Sequence, residues 1–217
     1  MKLISVNLGK EETLVRPNKT EQTGIFKRPV FEPVQIMHDG LPGDFIGDHK
    51  HHGGPDQAVY IYGWADYEWW AKEIGQEMQP GMFGENLTIS ELESAQFNIG
   101  DRLKIGEVTL EVTAPRIPCG TLAGRMKIPP FAKQFRFAGR PGLYCRVIQE
   151  GQVQAGDPVS VERYNGDTFT VAEAMRDYYD SNLGEATLRR YLNAPIAMRM
   201  RAEKEEQLAR LKSEQKF

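Results

Sequence analysis

Three short runs hold side chains able to do chemistry. The first reads His49-Lys50-His51-His52-Gly53-Gly54-Pro55-Asp56. Clustered imidazoles suggest metal ligation, yet adjacent His51 and His52 diverge on a strand and no pair stands four apart as on a helix. Gly53 and Gly54 permit positive φ or a close approach by another group, and consecutive N–H groups there could cradle a phosphate. An exposed His-rich loop is the plainer alternative. The second run, Phe83-Gly84-Glu85-Asn86-Leu87, offers an acceptor and a two-way hydrogen-bonding amide at a strand start. An Asn that only ties down its own loop explains it equally simply. The third, Ala114-Pro115-Arg116-Ile117-Pro118-Cys119-Gly120, is the most informative. Its two prolines exclude regular structure and fix side-chain directions. Arg116 on the same segment favours a Cys119 thiolate, which is both a nucleophile and a soft metal ligand; an inert buried cysteine is the alternative. Cys145 lies in the apolar run Leu143–Ile148 and reads as inert core. Lys27 and Arg28, and later Arg136 and Arg140, are either anion ligands or solvated surface charges.

The elements that must position these groups are mostly short strands. Lys2–Leu8, Val34–Met37, Leu103–Ile105, Val108–Val112, Leu143–Ile148 and Val159–Val161 are β-branched runs bounded by Gly, Asp or Pro. In the first, Ile4, Val6 and Leu8 share one parity. Gly100-Asp101 and Gly156-Asp157 each launch a similar alternating strand, which reads as two similar turns rather than a repeat. One helix interrupts them: Trp64, Tyr67, Glu68, Ala71 and Ile74 fall at helical spacing, with Gly75 as the stop, and its aromatic stripe reads as core. Pro129–Phe137 predicts a second short helix. After Asp167 everything looks helical. Thr170 with Glu173 suggests a capping box, followed by helices over Glu185–Leu192 and Pro195–Leu211. Many short strands with Gly/Pro-rich turns suggest a barrel or sandwich over 1–167, followed by a 168–217 three-helix extension that must lean on it or on a partner.

Composition narrows the classes. The 217 residues are 40% hydrophobic and 26% charged with a net charge of -3, so the chain is neither disordered nor a basic nucleic-acid or anionic-membrane binder. Two cysteines make no disulfide framework. No run approaches the ~18 apolar residues of a membrane span, and Lys10, Glu11 and Glu12 interrupt any signal peptide. The expectation is a cytoplasmic protein with reduced thiols.

In order and spacing, His52-Gly53-Gly54-Pro55-Asp56, Gly84-Glu85-Asn86-Leu87, Gly100-Asp101 and Pro115-Arg116-Ile117-Pro118-Cys119 resemble the landmarks of the MOSC domain. That family is named for the C-terminal region of molybdenum cofactor sulfurases. The helical tail resembles the three-helix extension of its YiiM subgroup. The resemblance implies a mostly-β, MOSC-type β-barrel with a few inserted helices and a C-terminal three-helix appendage. It also implies a molybdenum cofactor, a pterin bearing a phosphate, with Cys119 as the thiolate ligand to the metal. Lys27, Arg28, His52, Gly53, Gly54, Asn86, Arg116 and Arg140 become candidate cofactor contacts; of the charged ones, Lys27, Arg28 and Arg140 lie outside the matching motifs and rest on charge alone. The pyridoxal-phosphate domain of full-length sulfurases has no room in this chain, so sulfurase activity is not expected.

The implied activity is reduction of N-hydroxylated compounds (hydroxylamino-purines, amidoximes, hydroxylamines) to amines by oxygen transfer to molybdenum. His51 or His52 would supply protons, since imidazole exchanges them near neutral pH. The sequence has no Cys set for an iron–sulfur cluster and no dinucleotide-binding glycine fingerprint. A separate reductase, a flavin or iron–sulfur protein, is therefore the expected electron donor; neither nucleic acid nor membrane is expected as a partner. Two rivals use the same residues. One is a carrier of the cofactor or of sulfur, without turnover of its own. The other is a zinc hydrolase built on His49, His51 or His52 with Cys119.

Overall fold

The computed structural model describes residues 1–17, 19–48, 52–128 and 130–214. Eight strands form one sheet: β1 (Leu3–Leu8), β4 (Arg28–Val30), β6 (Val59–Gly63), β7 (Leu87–Ile89), β8 (Arg102–Ile105), β9 (Val108–Ala114), β10 (Leu143–Gln149) and β12 (Val159–Glu162). Their spatial order is β12-β8-β9-β10-β6-β7-β1-β4. Only β6 and β7 run parallel, joined through helix α1 (Trp64–Ile74); the other pairs are antiparallel. Two small sheets complete the β-structure: the hairpin β2 (Glu12–Arg16) with β3 (Lys19–Thr23), and β5 (Val34–Ile36) with β11 (Gly151–Val153). No helix among the described residues is long and apolar enough to cross a membrane.

The closed, mostly-β barrel expected from the sequence is not what forms. The architecture is mixed α/β, and among the described residues no ladder joins the outer strands β12 and β4. The nearest approach to closure is at the start of β1. There Lys2 bridges Pro158, the Leu3 N–H donates to Asp157 O at 2.9 Å, and the Val159 N–H donates to Met1 O at 2.9 Å. Pro158 has no N–H to add, and the contact remains an isolated bridge.

All six strands read from the sequence are present to within two residues at either end, but β1 breaks its expected parity. A register shift between Leu3 and Ser5 buries Leu3 and Val6 together and leaves Ile4 exposed, as a bulge does. The two Gly-Asp turns hold as expected. Gly100 and Gly156 have φ of 90° and 99°, and the strands they launch, β8 and β12, pair with each other. In each turn the aspartate accepts the N–H three residues back, Asn98 to Asp101 at 3.0 Å and Gln154 to Asp157 at 2.8 Å.

Helix α1 ends at Gly75 in the left-handed region, as its sequence predicts. Tyr67 and Trp70 are buried, with the Trp70 indole N–H donating to Tyr62 Oη at 2.8 Å. Phe83 stacks on Tyr62 with centroids 4.3 Å apart, and α3 (Phe131–Ala138) adds Phe131 and Phe135 to this aromatic core. Between them lies a helix that the prolines conceal, α2 (Gly120–Met126), which begins directly after Cys119.

The tail comprises α4 (Val171–Tyr178), α5 (Glu185–Asn193) and α6 (Met198–Glu214). Thr170 caps α4 through the Glu173 N–H at 3.0 Å. Leu183, Leu188 and Leu208 form a small cluster of the tail's own, but Phe169, Val171, Ala174, Tyr191 and Ile196 belong to the main core. Helix α6 starts three residues later than the sequence suggests, because the Ala197 N–H is taken by Thr113 O of β9 at 3.1 Å.

Candidate functional site

Cys119 is the N-cap of α2, at the end of the Pro115–Pro118 segment that follows β9. Its sulfur sits at the helix N-terminus, where free N–H groups favour an anion. Burial pushes the thiol up, but the hydrogen bond from His52, the Arg116 charge and the Leu122 N–H together outweigh it and hold it at about 5. Cys119 is therefore a thiolate at neutral pH. Cys145 is the opposite case: sealed in β10, its thiol is pushed up by burial, as an inert core cysteine.

Arg116 is 3% exposed, far below an ordinary arginine. Its Nη1 donates to Phe83 O at 2.8 Å and its guanidinium lies 5.1 Å from the Tyr60 ring centre. Burial opposes its charge, while Tyr144, Tyr60 and Cys119 favour it and leave its pKa raised. Among the described residues no carboxylate pairs with it, and its Nε is buried without a partner. His52 Nδ1 is hydrogen-bonded to Tyr144 Oη at 3.3 Å, so the strand residue opposite orients the imidazole.

These groups open on one cleft of about 730 Å³, counted to its mouth. Lys27, His52, Gly53, Asn86, Arg116 and Cys119 all line it. Gly54 is next to it, and Gly53 and Gly54 both take positive φ, at 75° and 82°. Lys27 and Asn86 share one partner, Asp44. Lys27 and Asp44 form a buried ion pair, with burial lowering the lysine's pKa and Asp44 opposing that. Asn86 accepts the Tyr60 N–H at 3.1 Å and donates to Asp44 Oδ2 at 2.8 Å.

Two expected contacts are elsewhere. Arg28 is exposed and binds the Glu12 carboxylate, and Arg140 binds Asp66 behind the aromatic core; neither lines the cleft. Outside the motifs, charge alone did not say which way these arginines face. His49 and His51 lie outside the described residues. Among the described residues no three His, Cys, Asp or Glu converge as a metal site. Asp44, Tyr60 and Tyr144 carry no sequence signal: two sit in apolar strands and the third in a plain loop.

The MOSC domain family profile matches residues 48–160, more than half of the chain and including the whole Cys119 segment. The chain belongs to the MOSC domain family. Protein YiiM of Escherichia coli is 32% identical over 155 residues, covering 70% of this chain and 69% of that one. The crystal structure of YiiM from Geobacillus stearothermophilus superposes with a TM-score of 0.78 at 25% identity, over 95% of this chain and 98% of that one. A protein of Gibberella moniliformis named reductase is 34% identical over 143 residues, covering 64% of this MOSC protein and 25% of the longer fungal one.

Proposed function

We propose that this MOSC protein is a molybdenum cofactor-dependent oxidoreductase that reduces N-hydroxylated compounds to amines. The observation that carries it is the Cys119 thiolate, set on a rigid turn beside buried Arg116 in an open cleft. Membership of the MOSC family and the relative named reductase support the class of activity.

The residues fit such a cofactor. The thiolate is the soft donor molybdenum takes, and Arg116, which has no carboxylate partner among the described residues and whose buried Nε is unpartnered, offers a donor and positive charge to an anionic group. Cys119 would hold the metal, Arg116 and Gly53 would face the pterin's polar atoms, and Lys27 would approach its phosphate from within its Asp44 pair. When bound, the cofactor supplies the two-electron centre that accepts oxygen from N–OH. The chain's own groups do the rest. His52, Arg116 and the Leu122 N–H of α2 keep Cys119 ionised, and His52, held by Tyr144, delivers a proton at the departing oxygen. The net change breaks the N–O bond: the hydroxylamine takes two electrons and two protons and leaves as amine and water. The electrons come from a separate flavin or iron–sulfur reductase.

The test is molybdenum per chain, in protein made by a host competent for cofactor synthesis, beside Cys119→Ser. Near-stoichiometric metal that falls in the variant, with reduction of a hydroxylamino-purine by an artificial reductant, is the expected result. Failure to bind added free cofactor would overturn the reading. Cofactor that binds and transfers to an acceptor protein, without any turnover, would favour the carrier.

A further inference from the structure

Glu85 belongs to the Gly84-Glu85-Asn86-Leu87 motif, yet no step of the cleft's chemistry uses it. Gly84 and Asn86 line the cleft, whereas Glu85 between them does not and has no solvent exposure. Its Oε1 alone accepts three hydrogen bonds: from Tyr67 Oη at 2.6 Å, from the Gly81 N–H at 2.6 Å and from Thr88 Oγ1 at 2.8 Å. Its Oε2 is buried without a partner. A carboxyl group is rarely buried this completely, and the cost of desolvating it must be offset by what it holds.

What it holds is a turn that touches both cations of the cleft. Tyr67 Oη, while donating to Glu85, accepts the Met82 N–H at 3.1 Å. The Gly81 and Met82 N–H groups are thus both drawn inward, and the Gly84 N–H closes the turn on Gly81 O at 3.0 Å. The turn presents Phe83 O to Arg116 Nη1 at 2.8 Å. Gly81, at a φ of 86°, lies against the main chain of Lys27: an added Cβ would fall 2.4 Å from Lys27 O. On the far side of Glu85, Thr88 Oγ1 accepts from Asn7 Nδ2 at 3.1 Å, and Asn7 Oδ1 accepts from Ser5 Oγ at 2.6 Å. The carboxyl group is thereby tied to β7 and β1. Burial raises its pKa, and Tyr67, Gly81 and Thr88 oppose that.

We infer that Glu85 is a positioning residue for the cleft: its Oε1 fixes the 81–84 turn so that Phe83 O seats the Arg116 guanidinium for its work on Cys119. The acceptor does this, not the carboxylate's charge. Oε1 gathers all three donors, while Oε2 hydrogen-bonds to neither Lys27 nor Arg116. A fully buried network of this kind fixes one arrangement, because every alternative strands a donor. Arg116 carries the effect onward, since its charge favours the Cys119 thiolate. The inference needs no cofactor, so the reductase reading can fail without it.

The full chain, labelled with 15N-arginine, provides the test. The Arg116 Nε–H signal is assigned by its loss in Arg116→Met. Glu85→Leu fills the space without an acceptor, and Tyr67→Phe removes the hydroxyl between Glu85 and the turn. In both, the Arg116 signal is expected to shift and its exchange with solvent to quicken about tenfold or more, as for a lost hydrogen bond to a charged group. The pH midpoint of Cys119 alkylation is expected to rise in both. Glu85→Gln keeps Oε1 and is expected to keep the parent's signal and midpoint. Arg140→Ala, which loosens the same aromatic core by another route, controls for lost stability and should move neither. In an Arg116→Met background, Glu85→Leu should raise the midpoint no further. If Glu85→Leu fails to fold, Tyr67→Phe and Glu85→Gln decide. An Arg116 signal unmoved in Tyr67→Phe overturns the proposal. So does a raised midpoint in Glu85→Gln, which would make charge the agent, or a further rise in the Arg116→Met background, which would mean a route other than Arg116.

Discussion

Arg140 closes on Asp66, its Nη1 2.6 Å from Oδ1 of a carboxylate with no solvent exposure. The second oxygen of Asp66 accepts the Ser94 N–H at 2.9 Å, and the guanidinium also lies 5.0 Å from the Trp69 ring centre. Burial raises the Asp66 carboxyl, and Ser94 and Arg140 work against that. Arg140 therefore holds the α1 aromatic core to the turn before β10. Arg140→Ala leaves a buried charge unpaired and is expected to cost about 3–5 kcal/mol in denaturant unfolding. The alkylation rate of Cys119 in the folded variant should match the parent's, because Arg140 does not reach the cleft.

The Cys119 thiolate gives a pH signature. Thiolate absorbance and iodoacetamide alkylation should both rise with a midpoint near 5. Cys145 should stay unreacted until the protein unfolds. His52→Ala removes the strongest lowering partner and Arg116→Met the next, so each should move the midpoint upward. The sign for stability follows from a folded value below that of an unfolded thiol, ~8.5. The contribution is full above the unfolded value and is lost as pH falls through about 5. Cys119→Ser should flatten that part of the stability profile.

How far the sequence announces this molecule can be judged residue by residue. Helix α1 and its Gly75 stop, the Thr170 cap, and the Cys119 segment are legible because local chemistry dictates them: periodicity, a cap, two prolines. β6 is not, since all five of its residues are buried and the period-two pattern vanishes. The β2–β3 hairpin escapes for the opposite reason, being mostly polar with exposed Val15. The cleft residues Lys27 and Asn86 stand out by charge and by motif, but their shared partner Asp44 stands alone in a loop with nothing to mark it. Met200 sits on a helix that reads as solvent-facing, and only tertiary packing sets it on the core that Ile117 also joins.

Asp44 joins three separate segments. It accepts the Gly9 N–H at 2.7 Å, the Asn86 amide at 2.8 Å, and the buried Lys27 ammonium. Asp44→Ala strands the ammonium and two N–H donors together, and a loss of about 3–5 kcal/mol is expected. Lys27→Met added to that variant should recover part of the loss in a double-mutant cycle. A double variant less stable than Asp44→Ala would mean that Lys27 stabilises the cleft without its carboxylate.

The wall of the cleft also depends on an absent side chain. At Gly24 an added Cβ would fall 1.8 Å from Phe45 O, and at Gly9 it would fall 2.1 Å from Gly24 O. The Phe45 N–H meanwhile donates to Gly9 O at 2.9 Å. Three backbones therefore stack at contact, and the middle one leads directly into Ile25 and Lys27 of the cleft. No flexible side chain can yield at either distance, because the obstacle is a main-chain carbonyl. Gly24→Ala should push the 44–48 loop outward, separate Asp44 from Lys27, and lower the melting temperature more than Gly184→Ala, where an added Cβ meets nothing within 4 Å. Thermal unfolding of the two variants side by side makes the comparison, and equal shifts would mean that the stack yields without cost to the cleft.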